Sequence, residues 1–228
     1  CAFSNAARNG MFAALLARRG MTGPAPIFEG EKGFMKLVSG LFELPMLGGQ
    51  AMPGGEPASF KILKTCIKHF PVEYHAQSAV EAALALRAEL IATEGTGWLD
   101  HVADVEIGSY EVAIEIIGRD PEKWQPATRE TADHSFPYCV AVALVDGRVS
   151  MNSFTPKRLR DPRLHELMKK IHVVNLPELE HRYPTTMPTR LTIRSAKGAT
   201  YSRQVDQPLG HPGHPLSDRE VEDKLRRL

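Results

Sequence analysis

The sequence predicts an α+β protein made of a helical part and a mixed part. Residues 2–19 repeat apolar side chains at helical spacing and show no strand pattern, which indicates an all-α layer. From residue 59 onward, short β-branched runs alternate with helical repeats, which indicates strands and helices in one layered domain. The stretch 47–58 is rich in Gly and Pro, so we expect a domain crossing there, with a surface loop as the alternative.

Composition limits the classes of function. Lys and Arg total 28 against 27 Asp and Glu, and no basic block is present, so nothing in the charge predicts a nucleic-acid partner. No apolar run approaches the roughly 20 residues of a membrane span. The cysteines, Cys1, Cys66 and Cys139, are far apart and exclude CxxC metal or cluster motifs. They predict a reducing compartment, which we expect to be the cytoplasm, or the mitochondrial matrix in a eukaryote.

Local patterns predict the elements in order. A helix over Ala2–Arg19 ends at Gly20, and a short helix covers Phe34–Val38. Phe60–Lys68 is rich in β-branched and apolar residues and predicts a strand. From His75 the apolar spacing changes to that of a helix that ends near Leu90 or Ile91.

The remaining elements follow the same signals. We predict, in order, a strand at His101–Gly108, a helical or extended piece at Glu111–Ile117, a Pro-rich loop at Asp120–Ala127, a helix at Pro137–Val145 capped by Ser135 or Asp133, a helix at Arg163–Ile171, a hairpin of Arg190–Ile193 with Tyr201–Val205, and a tail helix with Ser217 and Glu220 in a capping box.

The corner between the predicted strand and the helix at His75 is the strongest candidate site. Lys68 closes the strand and His75 opens the helix, with Pro71 between them. Free N–H groups and the dipole at a helix N-terminus favour an anion. The corner therefore predicts a carboxylate site that contains a titratable group. The alternative is that Lys68 is a solvated strand end and His75 a first-turn residue without a chemical role.

Three strings carry a resemblance to a known family. They are SNAARNGMFAALLARRGMTGPAPIFEGEKG (Ser4–Gly33), KHFPVEYHAQSAVEAA (Lys68–Ala83) and TRETADHSFPYCVAVALVDG (Thr128–Gly147). Together, and in this order, they resemble motifs of the MmgE/PrpD family. The resemblance implies part of an all-helical domain over residues 1–58, a smaller α/β lid domain over 59–206, and a return to the helical domain over 207–228. It also implies the C-terminal half of a homodimeric protein about twice as long.

The resemblance implies a cofactor-independent lyase that acts on a small tricarboxylate. The expected reaction is elimination of water from 2-methylcitrate, or citrate, in the methylcitrate cycle of propionate catabolism. Other members decarboxylate cis-aconitate or epimerise iminodisuccinate, and these activities are alternatives. A further alternative is a non-catalytic lid or dimerisation module. Because the family's other acid/base residues would lie upstream of Cys1, we expect this fragment alone to be inactive.

The resemblance also implies roles for individual residues. Lys68, on which the family's lid lysine falls, is expected to bind substrate or transfer a proton, and His75 and Tyr110 are further catalytic candidates. Glu73 is a substrate-site candidate that stands where the decarboxylating members have a histidine, which favours dehydration. For His134 two alternatives stay open, contact with the substrate and ordering of the lid.

For some of the titratable residues, interpretations without a catalytic role also apply. Glu73 could pair with Lys68 or His69 instead of serving the substrate. His211 and His214 lie in one loop but lack a nearby third ligand, so we expect them to be loop residues and expect no metal site.

Overall fold

A computed structural model describes residues 2–43 and 64–227. The chain divides into two compact units, residues 1–60 and 61–228. The predicted crossing at residues 47–58 lies outside the described residues. The finer domain boundaries at residues 58 and 206 stay a prediction.

The first unit contains helix α1 (Ala2–Arg18), which agrees with the sequence prediction. Gly20 follows it at a φ of 92°, and its N–H donates to the Ala17 carbonyl at 2.9 Å. This left-handed glycine ends the helix as expected. Met35–Ser39 forms a single wide helical turn where a short helix was predicted. Phe28, Phe34 and Phe42 meet edge to face, with ring centroids 6.3 to 6.4 Å apart.

The second unit is the α/β part. Its helices are α2 (Gln77–Glu94), α3 (Glu111–Ile117), α4 (Pro121–Trp124), α5 (Arg129–Asp133), α6 (Phe136–Asp146), α7 (Pro156–Leu159), α8 (Pro162–Met168), α9 (Pro177–Glu180) and α10 (Asp218–Arg227). Its strands are β1 (Val102–Ser109), β2 (Ile171–Asn175), β3 (Thr189–Ser195) and β4 (Thr200–Val205). A single 3₁₀ turn, Tyr74–Ala76, leads into α2.

The described strands form one sheet in the order β2-β1-β3-β4. β1 is parallel to β2, with Ile107 opposite Val173, and antiparallel to β3, with Ile107 opposite Leu191. β3 and β4 form the predicted hairpin, with Ile193 opposite Tyr201. Strand β1 is therefore central, and its C-terminal end lies inside the protein.

The two faces of the sheet differ in polarity, as the two-residue period of a strand requires. Side chains such as Ile107, Leu191 and Ile193 are buried on one face. The other face carries ion pairs, among them Arg194 with Asp104 at 2.8 Å and with Glu106 at 3.2 Å. Helices therefore need to cover only the apolar face.

Helices α2 and α6 form the core with the sheet. α2 packs against α6, β3 and β4, and α6 also contacts β2 and α8. Residues 136–144 of α6 are all buried, which places this helix in the centre of the unit. In residues 2–43 and 64–227, no helix is long and apolar enough to cross a membrane.

The strand predicted over Phe60–Lys68 is wrong for the part that the structure describes. Residues 65–68 form no strand, although the Ile67 N–H donates to the Gly210 carbonyl at 2.8 Å. Residues 60–63 lie outside the described residues. The helix predicted over Arg163–Ile171 is α8, which is shorter, and Ile171 instead begins β2. One backbone hydrogen bond to a loop is not enough to make residues 65–68 a strand, because they have no neighbouring strand to pair with. β2, in contrast, is a strand because it pairs with β1.

Other local predictions are confirmed. β1 matches the expected strand at His101–Gly108, and Ser135 caps α6 by accepting the Tyr138 N–H at 3.1 Å. In the tail, Ser217 and Glu220 form the capping box, with the Ser217 N–H donating to Glu220 Oε2 at 2.8 Å. A helix cap involves residues that are close together in the sequence, so it could be predicted without knowledge of the fold.

The cap of α6 is expected to contribute measurably to stability. Ser135 is fully buried, and its hydroxyl also donates to the Lys123 carbonyl at 2.5 Å. S135A removes both bonds, so the free energy of unfolding should fall by about 1–2 kcal/mol in urea titrations. As a control, T185A removes an exposed hydroxyl that makes no hydrogen bond with another described residue, and it should change stability by less than about 0.5 kcal/mol. Equal effects of the two substitutions would contradict the assigned role of Ser135.

Candidate active site

The carboxylate of Glu73 is the anion that binds at the turn before α2. Glu73 Oε2 accepts the His75 N–H at 2.6 Å, and the Glu73 N–H donates to the Asp133 carbonyl at 2.8 Å. This N–H of the turn therefore already has an anionic partner within the chain, and the carboxylate site expected at the corner stays a prediction. No ion pair joins the described residues Glu73 and Lys68, and the alternative pairing of Glu73 with His69 stays a prediction.

Gln77 holds the loop that precedes this corner, a role that the sequence analysis missed. Its Oε1 accepts the backbone N–H groups of His69 at 3.1 Å and Phe70 at 3.0 Å. Its Nε2 donates to the carbonyls of Phe70 at 2.9 Å and Val72 at 3.3 Å. The buried amide thus uses both ends to fix residues 69–72 against the start of α2. A glutamine two positions after His75, at the start of the predicted helix, was the available signal.

His75 and Tyr110 form a hydrogen-bonded pair across the core. His75 Nδ1 is bonded to the Tyr110 hydroxyl, and the two ring centroids are 5.5 Å apart. The Tyr110 ring is completely buried, and His75 is 9% exposed. Nε2 of His75 makes no hydrogen bond with any described residue, and it is not among the buried, unpartnered polar atoms. It is therefore the ring atom that is open to the surface.

Burial sets the protonation of the pair. Burial lowers the pKa of His75 below its ordinary 6.5, and the negative charge of Glu73 opposes this by a smaller amount. Burial raises the pKa of Tyr110 well above its usual range, and the charge of Glu73 adds to that effect. At neutral pH the imidazole is therefore neutral and the phenol keeps its proton. The hydrogen bond between His75 and Tyr110 therefore joins two uncharged side chains at neutral pH.

Two residues from a distant segment complete the surroundings of the pair. Tyr183 stacks on Tyr110 with centroids 4.7 Å apart and an angle of 19° between the rings. The same ring lies 6.0 Å from the ring of His75. The Tyr110 hydroxyl oxygen also lies within hydrogen-bond distance of Met187 Sδ, at 3.0 Å. Both residues lie between α9 and β3, and no local pattern in the sequence pointed to them.

Lys68 lines a groove on the surface. It is exposed, and the groove has a volume of about 560 Å³ and includes Arg148, Phe70 and Leu84 but neither His75 nor Tyr110. The Lys68 carbonyl accepts a hydrogen bond from the ammonium group of Lys224. The structure therefore brings His75 and Tyr110 into contact, whereas Lys68 lines a groove whose lining residues include neither of them.

His134 is connected to Glu73 through Asp133. Its Nδ1 is bonded to the carboxylate of Asp133, whose backbone carbonyl accepts the Glu73 N–H. The His134 side chain is 46% exposed. Its link to the corner therefore runs through Asp133, and its role in substrate binding stays a prediction.

The loop histidines bond to their own loop. His211 Nδ1 accepts the Gly213 N–H at 3.0 Å, and His214 Nδ1 lies 3.2 Å from the Gln207 carbonyl oxygen. Within the described part of the chain, no three His, Cys, Asp or Glu side chains are grouped so as to hold a metal ion.

Comparison with known proteins identifies the family. The family model described as MmgE/PrpD C-terminal domain matches residues 70–228, and the one described as MmgE/PrpD N-terminal domain matches residues 1–46. Because the first of these covers well over half of the sequence, the chain belongs to the MmgE/PrpD family.

Individual relatives include a decarboxylase and dehydratases. Cis-aconitate decarboxylase of Mus musculus is 26% identical over 226 residues, which cover 97% of this chain and 43% of the relative. 2-Methylcitrate dehydratase of Cupriavidus necator is 33% identical over 168 residues, which cover 69% of this chain and 34% of the relative. The corresponding dehydratase of Escherichia coli K12 is 30% identical over 150 residues, covering 62% and 29%. The chain thus spans less than half the length of these relatives.

Loss of the Gln77 clamp should loosen the corner. Q77L keeps the apolar stem but leaves the backbone groups of residues 69–72 without their partners, so we expect about 2 kcal/mol lower stability. Hydrogen exchange at the Phe70 amide should accelerate more than exchange in β1. Q125L, at an exposed glutamine, is the matched control and should change neither quantity. Unaltered Phe70 exchange in Q77L would show that the clamp is dispensable.

Burial of His75 makes stability depend on pH. The folded-state pKa lies below the ordinary 6.5, so the unfolded chain binds the proton more readily. The stabilising contribution is complete above pH 6.5 and is lost as the pH falls through the lowered pKa of His75. Urea titrations from about pH 8 to 5 should therefore show a weaker pH dependence in H75Q than in wild type. H172Q, at an exposed histidine, should keep the wild-type slope. An unchanged slope in H75Q would contradict the burial argument.

Proposed function

We propose that this chain forms the His75 side of the active site of a lyase that eliminates water from 2-methylcitrate without a cofactor. The observation that carries the proposal is the buried His75–Tyr110 pair, which leaves Nε2 of His75 as the one ring atom open to a ligand. The relatives named as 2-methylcitrate dehydratases support the substrate. The methylcitrate cycle, the homodimer and the compartment belong to the same proposal.

Elimination of water requires a group that exchanges protons with the substrate. A proton leaves a carbon next to a carboxylate, its electron pair forms the double bond, and the hydroxyl departs as water after it is protonated. When Tyr110 donates to Nδ1, His75 carries its proton on Nε2 and can donate to a substrate oxygen. When Nδ1 carries the proton, Nε2 has a lone pair and can accept the proton of the C–H bond. Tyr110, being completely buried, acts through His75.

The carboxylates of a tricarboxylate need cations. Lys68 and Arg148 line one groove, and their charged ends make no hydrogen bond or ion pair with other described residues. We assign Lys68 to binding a substrate carboxylate in the full-length protein, where a charge-assisted hydrogen bond is roughly twice as strong as a neutral one. His134 is a secondary candidate for the same task. Proton transfer falls to His75.

Decarboxylation of cis-aconitate is the second candidate. The mouse decarboxylase matches this chain over 97% of its length, more than the dehydratases do. Against it stands Glu73, a carboxylate at the position where the sequence resemblance gives the decarboxylating members a histidine. We favour dehydration because of Glu73 and because of the higher identity to the Cupriavidus necator enzyme.

The proposal is tested by kinetics of the full-length protein on 2-methylcitrate, citrate and cis-aconitate. We expect loss of water from 2-methylcitrate, a kcat lower by about 10²- to 10⁴-fold in H75Q, and a KM higher by about 10-fold or more in K68A. The reason for the difference is that His75 exchanges the proton whereas Lys68 binds a charge. H172Q is the matched histidine control and should keep wild-type values.

Three outcomes would contradict the proposal. Release of CO₂ from cis-aconitate without any dehydration would favour the decarboxylase. Wild-type turnover in H75Q would remove His75 from the reaction. Absence of both reactions, together with no thermal stabilisation by any of the three acids, would favour a non-catalytic module.

A further inference from the structure

We propose that Met187 is a positioning residue for His75. The sulfur of Met187 accepts a hydrogen bond from the Tyr110 hydroxyl whenever Nδ1 of His75 is itself protonated. The inference rests on the proposed function only for its kinetic consequence. The geometry behind it is the contact of one hydroxyl with two partners, Nδ1 of His75 and Sδ of Met187 at 3.0 Å.

The segment that carries Met187 is tied to both members of the pair. Ser78, one helical turn after His75, donates to the Met187 carbonyl at 2.5 Å. Ser109, the residue before Tyr110, donates to the carbonyl of Pro188 at 3.3 Å. Both serine side chains are completely buried. Two consecutive carbonyls are thus bound by the neighbours of the two rings, which fixes the position of the sulfur relative to His75.

The other end of the same segment is also held. The Met187 N–H donates to the Asp206 carbonyl at 3.0 Å, at the end of β4. Tyr183 stacks on the ring of Tyr110, so the phenol cannot move sideways out of reach of the sulfur. The hydroxyl hydrogen of Tyr110 can still rotate about the C–O bond between the two acceptors.

Counting protons shows why the second acceptor matters. The Tyr110 hydroxyl has one hydrogen and can donate it to one partner at a time. When Nδ1 of His75 is unprotonated, the hydrogen points to that nitrogen, the stronger acceptor. When Nδ1 carries a hydrogen, it must donate to the Tyr110 oxygen, and the phenol hydrogen needs another acceptor. Met187 Sδ supplies it, since an unsatisfied buried hydroxyl would disfavour that state.

The charged and titratable groups around the pair come from several elements. They are Glu73 and Tyr74 before α2, Tyr183 after α9, and Glu180 at the end of α9. Glu180 accepts the Glu111 N–H at 2.8 Å and is thereby engaged at the start of α3. None of these groups is removed by a change at Met187, so such a change isolates the effect of the sulfur.

Simple packing is the competing explanation, and leucine distinguishes the two. M187L keeps a similar apolar volume but has no acceptor. If Met187 only fills space, protonation of His75 should be the same in M187L. If the sulfur accepts the Tyr110 hydrogen, the protonated ring loses stability and the neutral ring does not.

The test is a pH titration of the His75 ring by NMR in the full-length protein with isotope-labelled histidine, the signal being assigned by its absence in H75Q. We expect M187L to lower the proton-binding constant of His75 about threefold. In a Y110F background M187L should have no further effect, because the hydroxyl that links the two side chains is gone. M187Q, which restores an acceptor, should bring the constant back to wild type or above it.

The outcomes are distinct from those of the enzymatic proposal. Wild-type titration in M187L, or an equal drop in the Y110F background, would overturn the role of Met187 whether or not the protein is a lyase. Should M187L not fold, M187Q against wild type decides, because a stronger acceptor must raise the constant. With lyase activity, the acid limb of the kcat/KM profile should shift in M187L in the same direction as the NMR titration.

Discussion

The hydrogen bond between His75 and Tyr110 is the interaction on which the candidate site depends. It joins the turn that begins α2 to the end of the central strand β1, two elements that the core already holds together. The bond uses Nδ1 of His75 and so decides which ring nitrogen is left to meet a ligand. A histidine with the same burial but without this partner would have neither a fixed ring orientation nor a defined tautomer.

The neighbouring polar groups are satisfied within the chain. Glu73 occupies the first N–H of the turn, and Gln77 binds the loop before it with both ends of its amide. Polar groups that are satisfied in advance need no rearrangement when substrate arrives, which is the physical meaning of a preorganised site. In the proposed function, the carboxylates of the substrate therefore depend on side chains such as Lys68, which lines a surface groove.

Sequence patterns gave α2, the β3–β4 hairpin and the cap of α6, because each is set by neighbours along the chain. They did not give β2, whose partner strand β1 ends more than sixty positions earlier, or Tyr183 and Met187, which reach the site through the fold. The string around His75 correctly indicated the start of a helix, but it could not show that Glu73 caps the turn.

The position of the proton on the neutral His75 ring tests the central claim most directly. Nitrogen-15 NMR of the histidine side chains in the wild-type protein, at a pH above the ordinary 6.5, distinguishes the two tautomers. Imidazole nitrogen is a better acceptor than a thioether, so Tyr110 should donate to Nδ1 and the ring proton should be on Nε2. A neutral ring with its proton on Nδ1 would contradict the account. So would a mixture of the two tautomers whose ratio stays the same in Y110F.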